Sequence, residues 1–134
     1  MKRLFHAIVA VIFMVLPALA KQSETKGTPE ITFQETVYDF GTVKESAGWI
    51  EHEFKFTNTG TAPLAIATVS TSCGCTKPEF PAKPIAPGSS GKIKLRFTPE
   101  GIKGGFTRTA KVRTNIKSKE GTVVLTIKGT VIPK

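Results

Sequence analysis

"WIEHEFKFTN", residues 49–58, alternates strictly enough to decide the fold class. Ile50, His52, Phe54 and Phe56 fall on one side of an extended chain, and Glu51, Glu53, Lys55 and Thr57 fall on the other. Successive side chains of a strand point to opposite faces, so this pattern predicts a strand with one face buried. His52 is then an inward-facing residue beside Phe54 and Phe56 rather than a catalytic base.

The same period recurs on both sides of this stretch. Upstream, "ITFQETVYDF" (31–40) alternates at first, with Ile31, Phe33 and Glu35 sharing a face. Downstream, "NTGTAP" (58–63) supplies a turn and "LAIATVS" (64–70) a short apolar strand. "PAKPIAPGSSG" (81–91) is a loop, because its prolines exclude a central strand. "KIKLRFT" (92–98) points Ile93, Leu95 and Phe97 inward and Lys92, Lys94 and Arg96 outward. "PEGIKGG" (99–105) turns the chain. "TAKVRTNI" (109–116) points Ala110, Val112, Thr114 and Ile116 inward and Lys111 and Arg113 outward. "GTVVLTIKGTVI" (121–132) closes with Val123, Leu125 and Ile127 on one face.

No stretch has the period of a helix of useful length. About seven short strands, with turn signals roughly every 8–12 residues, predict an all-β, single-domain, antiparallel β-sandwich of immunoglobulin type. The antibody pattern of two distant cysteines bracketing a tryptophan is absent, and Trp49 opens a strand instead.

The first twenty residues, "MKRLFHAIVAVIFMVLPALA", have a basic start, an apolar run and a small-residue end. That is the pattern of a secretory signal peptide cleaved after Ala20. The apolar run is broken by His6 and Pro17 and is shorter than the ~20 residues of a membrane span, so no transmembrane segment is expected in the mature protein. Residue 21 is lysine, so lipid attachment to an N-terminal cysteine is not expected. Residues 21–29, "KQSETKGTP", have the composition of a flexible leader, and residues 30–134 make the domain. The chain carries 19 Lys and Arg against 10 Asp and Glu; loss of Lys2 and Arg3 leaves a mature charge of about +7. The mature chain keeps a single histidine, His52, and no methionine, which removes much of the catalytic and metal-binding repertoire.

"YDFGTV", "FKFTNTGTAPLAI", "STSCGCTKPEFPAKPIAPGSSGKIKLRFTP" and "LTIKGTVI" together resemble a bacterial exported family, domain-of-unknown-function family 1573. The resemblance runs from Val37 to Val131, and "CGCT" is its most distinctive element. The "NTG-x-x-P-L-x-I" segment is also similar to the Hydin-like and major-sperm-protein-like immunoglobulin sandwiches. The resemblance implies a β-sandwich and an exported location, and it supplies no catalytic residues.

Both cysteines, Cys73 and Cys75, lie in "TVSTSCGCTKPEF" (68–80) with one glycine between them. In an extended strand their Cα atoms would be ~6.6 Å apart, at the upper edge of disulfide geometry. A tight turn at Gly74 would bring them within range. So short a loop removes little chain entropy, roughly 1.5 kcal/mol, so the bond would not be a fold staple. Three readings stay open: a structural corner, a thiol pair that cycles or forms a disulfide, and a metal site. Structural zinc wants four ligands, more than this chain offers. Copper(I) accepts soft thiolates, although no methionine is present to assist. An oxidising compartment penalises idle thiols, and Lys77 would favour a thiolate if the fold brings it close.

Other chemistry is poorly supplied. "GSSG" (88–91) is a turn without the helix of a nucleophile elbow, and "GIKGG" (101–105) lacks the ending of a phosphate-binding loop. Glu51 and Glu53 share a face with Lys55, as expected of a solvated surface. If the strands on either side of "PEGIKGG" pair, Lys92, Lys94, Arg96, Lys111 and Arg113 share one solvent face. That cationic stripe would suit an anionic envelope polymer, lipid headgroups or an acidic protein, or would simply keep the surface soluble. Nucleic acid is not an expected partner, since the phenylalanines face inward and the compartment is wrong. The expected function is a non-enzymatic binding or scaffold module of the cell envelope, contacting an envelope protein or anionic polymer. The alternative is a thiol-redox or copper(I)-handling protein centred on Cys73 and Cys75.

Overall fold

Eight strands build two four-stranded sheets in the computed structural model, which describes residues 27–134. They are β1 (Ile31–Phe33), β2 (Val37–Lys44), β3 (Ile50–Asn58), β4 (Ile66–Thr71), β5 (Thr76–Glu79), β6 (Ser90–Phe97), β7 (Gly104–Thr114) and β8 (Thr122–Ile132). The first sheet has the order β1-β3-β6-β5 and the second the order β2-β8-β7-β4. The expected signal peptide, 1–20, and residues 21–26 of the expected leader lie outside the described residues. Thr61 N donates to Thr28 O at 2.9 Å, and Thr28 N donates to Thr61 Oγ1 at 3.2 Å.

The alternation that marks β3 is the one the sandwich uses. Phe54 and Phe56 are buried with Ile93, Leu95 and Phe97 of β6, and Phe106, Ala110 and Val112 of β7 meet them from the other sheet with Leu125, Ile127 and Val131 of β8. Phe97 and Phe106 stack across the gap with ring centroids 4.4 Å apart, tying one sheet to the other. This apolar burial is the main term holding the layers together.

Three features depart from the sequence reading. "ITFQETVYDF" is not one strand: β1 pairs with β3 in the first sheet, whereas β2 crosses to the second. β2 also runs parallel to β8, so the sandwich is not wholly antiparallel. Most consequentially, β6 and β7 do not pair across "PEGIKGG". Both edges of β6 are occupied, by β3 and β5, and the linker carries the chain over to the opposite sheet. Gly101 and Gly104 take φ of 77° and 78° there, left-handed values that other residues rarely adopt.

Candidate functional site

Cys73 and Cys75 sit where the chain leaves β4, an edge of the second sheet, for β5, an edge of the first. Backbone hydrogen bonds set this corner. Ser72 N donates to Thr109 O at 3.0 Å, Thr76 N to Cys73 O at 3.1 Å, and Thr98 N to Cys75 O at 3.1 Å. Thr71 Oγ1 adds contacts of 3.1 Å to the carbonyls of Cys73 and Thr76. The corner pulls the two Cα atoms to 5.2 Å, and the cysteines form a disulfide. Gly74 is not among the glycines with left-handed φ, so the turn needs no glycine there on conformational grounds. Among the described residues no three His, Cys, Asp or Glu side chains are grouped to hold a metal. With its sulfurs bonded to each other, the pair offers copper(I) no thiolate in this state.

The cation beside the disulfide is Arg108, not Lys77. Arg108 lies on β7 between buried Phe106 and Ala110, and therefore on the core side of its strand. Its Nε donates to Cys75 Sγ at 3.5 Å, its Nη1 to Thr107 O at 3.0 Å, and its guanidinium carbon stands 6.0 Å from the Phe97 ring centre. It forms no ion pair among the described residues. Lys77 turns instead to Trp49, with Nζ 5.6 Å from the indole centre, and Arg96 approaches the same ring at 5.3 Å. Trp49 remains 45% exposed. Strand register brings these groups to one end of the sandwich. Ile50, Phe97 and Thr76 line up across β3, β6 and β5, and the next row is Glu51, Arg96 and Lys77.

The expected cationic stripe is divided between the two outer faces, because β6 and β7 belong to different sheets. Lys92, Lys94 and Arg96 lie on the first sheet among glutamates. Lys92 Nζ bonds Glu53 at 3.2 Å, Lys94 stands within 4.0 Å of Glu51, Glu53 and Glu79, and Arg96 Nε is 3.7 Å from Glu51. The Lys92 hydrogen bond, followed by the charges of Lys92, Lys94 and Lys55, holds the Glu53 carboxyl below the usual carboxylate range. Lys111 and Arg113 are exposed on the second sheet and form no ion pair among the described residues. His52 lies beside Phe54, as expected, meeting it edge-on at 4.8 Å; its ring also stacks on Tyr38 at 3.6 Å, and its Nε2 bonds Glu35.

Arg108 and Trp49 are the two residues that sequence reading passed over. Arg108 was visible in principle, since it has the same parity as Ala110 and Val112 and so breaks an apolar row. The neighbours of Trp49 come from strands remote in sequence, and only the register assembles them.

A family model described as "Protein of unknown function (DUF1573)" matches residues 31–131. No curated protein matches the chain. Among solved structures, a protein of unknown function from Porphyromonas gingivalis W83 is similar at a TM-score of 0.67 and 17% identity, over 77% of this chain and 47% of that one. The present chain thus spans about half the length of that protein. A PapD-like domain of human CEP192 is similar at a TM-score of 0.63 and 12% identity, over 80% of this chain and 88% of that one. The secreted serine protease VesC of Vibrio cholerae gives 0.58 and 14%, over 76% of this chain and 23% of the protease. At these identities the likeness is one of fold, the immunoglobulin-type sandwich.

Proposed function

The chain belongs to the DUF1573 family of proteins of unknown function, and from that premise we propose that it is an exported, non-enzymatic binding module of the cell envelope. The observation that carries this reading is Trp49, the chain's one tryptophan, 45% exposed and flanked by Lys77 and Arg96 at the disulfide end of the sandwich. A large ring left half in water contributes little to the core. Aromatic and arginine side chains together have the composition of interface anchors. Lys77, which forms no ion pair among the described residues, favours an acidic partner, either an envelope protein or an anionic polymer. Export rests on residues 1–20 and predicts a mature chain beginning at Lys21.

A photo-crosslinking amino acid placed at position 49, and separately at position 111 on the other sheet, tests the reading in the cells that make the protein. Discrete adducts from position 49 support it. Adducts from position 111 alone move the contact to the Lys111 and Arg113 face, and adducts from neither sink the module. Intact mass of the recovered protein checks the cleavage after Ala20 in the same experiment.

A second reading, thiol–disulfide exchange at Cys73 and Cys75, is favoured by one observation. An arginine on the core side of β7 addresses its Nε–H to the Cys75 sulfur rather than to a carboxylate.

A further inference from the structure

Resting on that second reading, we infer that the disulfide is polarised: Cys73 receives the attack of an incoming thiolate, and Cys75 is the leaving group, held as a thiolate by Arg108. The two sulfurs have different surroundings. Cys75 packs against the hydrophobic core, whereas Cys73 stands between exposed Ser72 and Gly74 and is not part of that packing. Cys75 Sγ faces the Arg108 guanidinium at 3.5 Å, with Thr76 Oγ1 at 3.9 Å. Cys73 Sγ receives one neutral donor, the Cys75 backbone N–H, at 3.1 Å. A fixed cation stabilises a departing thiolate more than a neutral amide does. The better-stabilised thiolate is the better leaving group.

The placement of Arg108 is otherwise hard to explain. An inward arginine without a carboxylate partner among the described residues breaks the apolar row of β7, and such breaks of local pattern concentrate at functional sites. Its contact with the Phe97 ring and its bond to Thr107 O fix the guanidinium without neutralising it. Arg108 is half-buried, and the Cys75 sulfur is the acceptor of its Nε–H.

The chemistry closes without a cofactor. A thiolate attacks Cys73 Sγ, a bond forms between the incoming sulfur and Cys73, the Cys73–Cys75 bond breaks, and its electron pair leaves on Cys75 Sγ. A second thiolate then attacks the sulfur of the first and releases Cys73. Two thiols become one disulfide, the protein disulfide becomes a Cys73 thiol and a Cys75 thiolate beside Arg108, and of the two protons lost by the attacking thiols one is taken up by Cys73 and the other by solvent. The substrate class is a thiol pair, such as two cysteines of an unfolded exported chain or two molecules of a small thiol.

The test uses the purified oxidised protein and glutathione, quenched with an alkylating agent and mapped by peptide mass. The expected result has three parts. The protein disulfide opens at least about tenfold faster than oxidised glutathione exchanges under the same conditions, the trapped glutathione sits on Cys73 with Cys75 alkylated, and Arg108→Met slows opening about tenfold while Arg108→Lys keeps most of the rate. No acceleration and no adduct overturn the exchange reading itself. Fast opening with glutathione on Cys75, or with Arg108→Met as fast as the parent, leaves exchange standing and overturns the polarity. Should Arg108→Met fail to fold, the thiolate absorbance of Cys73→Ser decides. A Cys75 titration midpoint below the ordinary ~8.5, rising between about 0.05 and 1 M salt, supports the arginine's role. An ordinary, salt-independent midpoint overturns it.

Discussion

Asn58 donates from Nδ2 to the carbonyl of Ile85 at 2.9 Å and so fastens the proline-rich loop to the end of β3. The same amide donates to Ala62 O at 2.8 Å, and its Oδ1 accepts from Gly60 N at 3.0 Å. Asn58 is fully buried, and without it Ala62 O and Gly60 N lose these part-buried bonds, while Ile85 O keeps the bond from Leu64 N at 2.9 Å. Asn58→Ala is expected to destabilise the domain by about 2 kcal/mol, the cost of leaving the part-buried Ala62 carbonyl and Gly60 amide unpaired. Asn58→Asp should do at least as much harm, because it sets an acceptor against two carbonyls. Urea unfolding measures both, and a loss below about 1 kcal/mol for either would show that water replaces the side chain.

Gly91 and Gly74 are expected to behave oppositely. A Cβ on Gly91 would lie 2.7 Å from Cζ of Phe56, the residue directly across the β3–β6 ladder, and Phe56 is itself buried against Phe33. Gly91→Ala should cost about 1–3 kcal/mol through overpacking. A Cβ on Gly74 would meet nothing within 4 Å, and its φ is not left-handed. Gly74→Ala should therefore be neutral or stabilising by less than about 1 kcal/mol, with the disulfide still formed. Thermal unfolding of the two variants, with alkylation to count free thiols, tests the contrast.

The contrast between those glycines also marks what the sequence made legible. Period-two alternation gave the faces of β3 and β6 and the inward set Phe54, Phe56, Ile93, Leu95 and Phe97, because burial on one face writes itself residue by residue. Which strands pair is not written that way. "ITFQETVYDF" looks continuous yet divides between sheets, and the linker at 99–105 looks like a hairpin turn yet crosses the sandwich. Pairing is decided by which sheet edges remain open, a property of the whole chain. The expected five-residue cationic stripe failed for that reason, and the corner carrying Cys73 and Cys75 gained an arginine from a strand 33 residues beyond Cys75.

The Glu53–Lys92 pair sets a small acid dependence with a definite sign. The Lys92 hydrogen bond, ahead of the surrounding lysine charges, holds the Glu53 carboxyl below its ordinary range in the folded protein. A depressed folded value means the stabilisation is fully present above the ordinary carboxylate range and is lost as pH falls through the folded value. Lys92→Met should raise the Glu53 midpoint, followed by carboxyl-carbon NMR, and high salt should raise it in the parent protein. The pair is on the surface, so its effect on stability should be small and salt-sensitive. A midpoint unmoved by Lys92→Met would remove the hydrogen bond as the cause.

Removing the disulfide should leave the fold standing. Cys73 and Cys75 are two residues apart, and by the loop-entropy relation a ring that short restricts the unfolded chain by roughly 1.5 kcal/mol. The corner is held independently by the bonds from Ser72, Thr76 and Thr98, which do not involve sulfur as donor or acceptor. Cys73→Ser/Cys75→Ser is therefore expected to unfold cooperatively, with a stability loss no greater than about 1.5 kcal/mol in urea. Trp49 fluorescence reports that transition, since the ring packs with Lys77 and Arg96 at the same end of the sandwich. A loss of several kcal/mol, or a non-cooperative transition, would show instead that the bond itself maintains the corner. The pair would then be structural, and its reactivity toward thiols incidental.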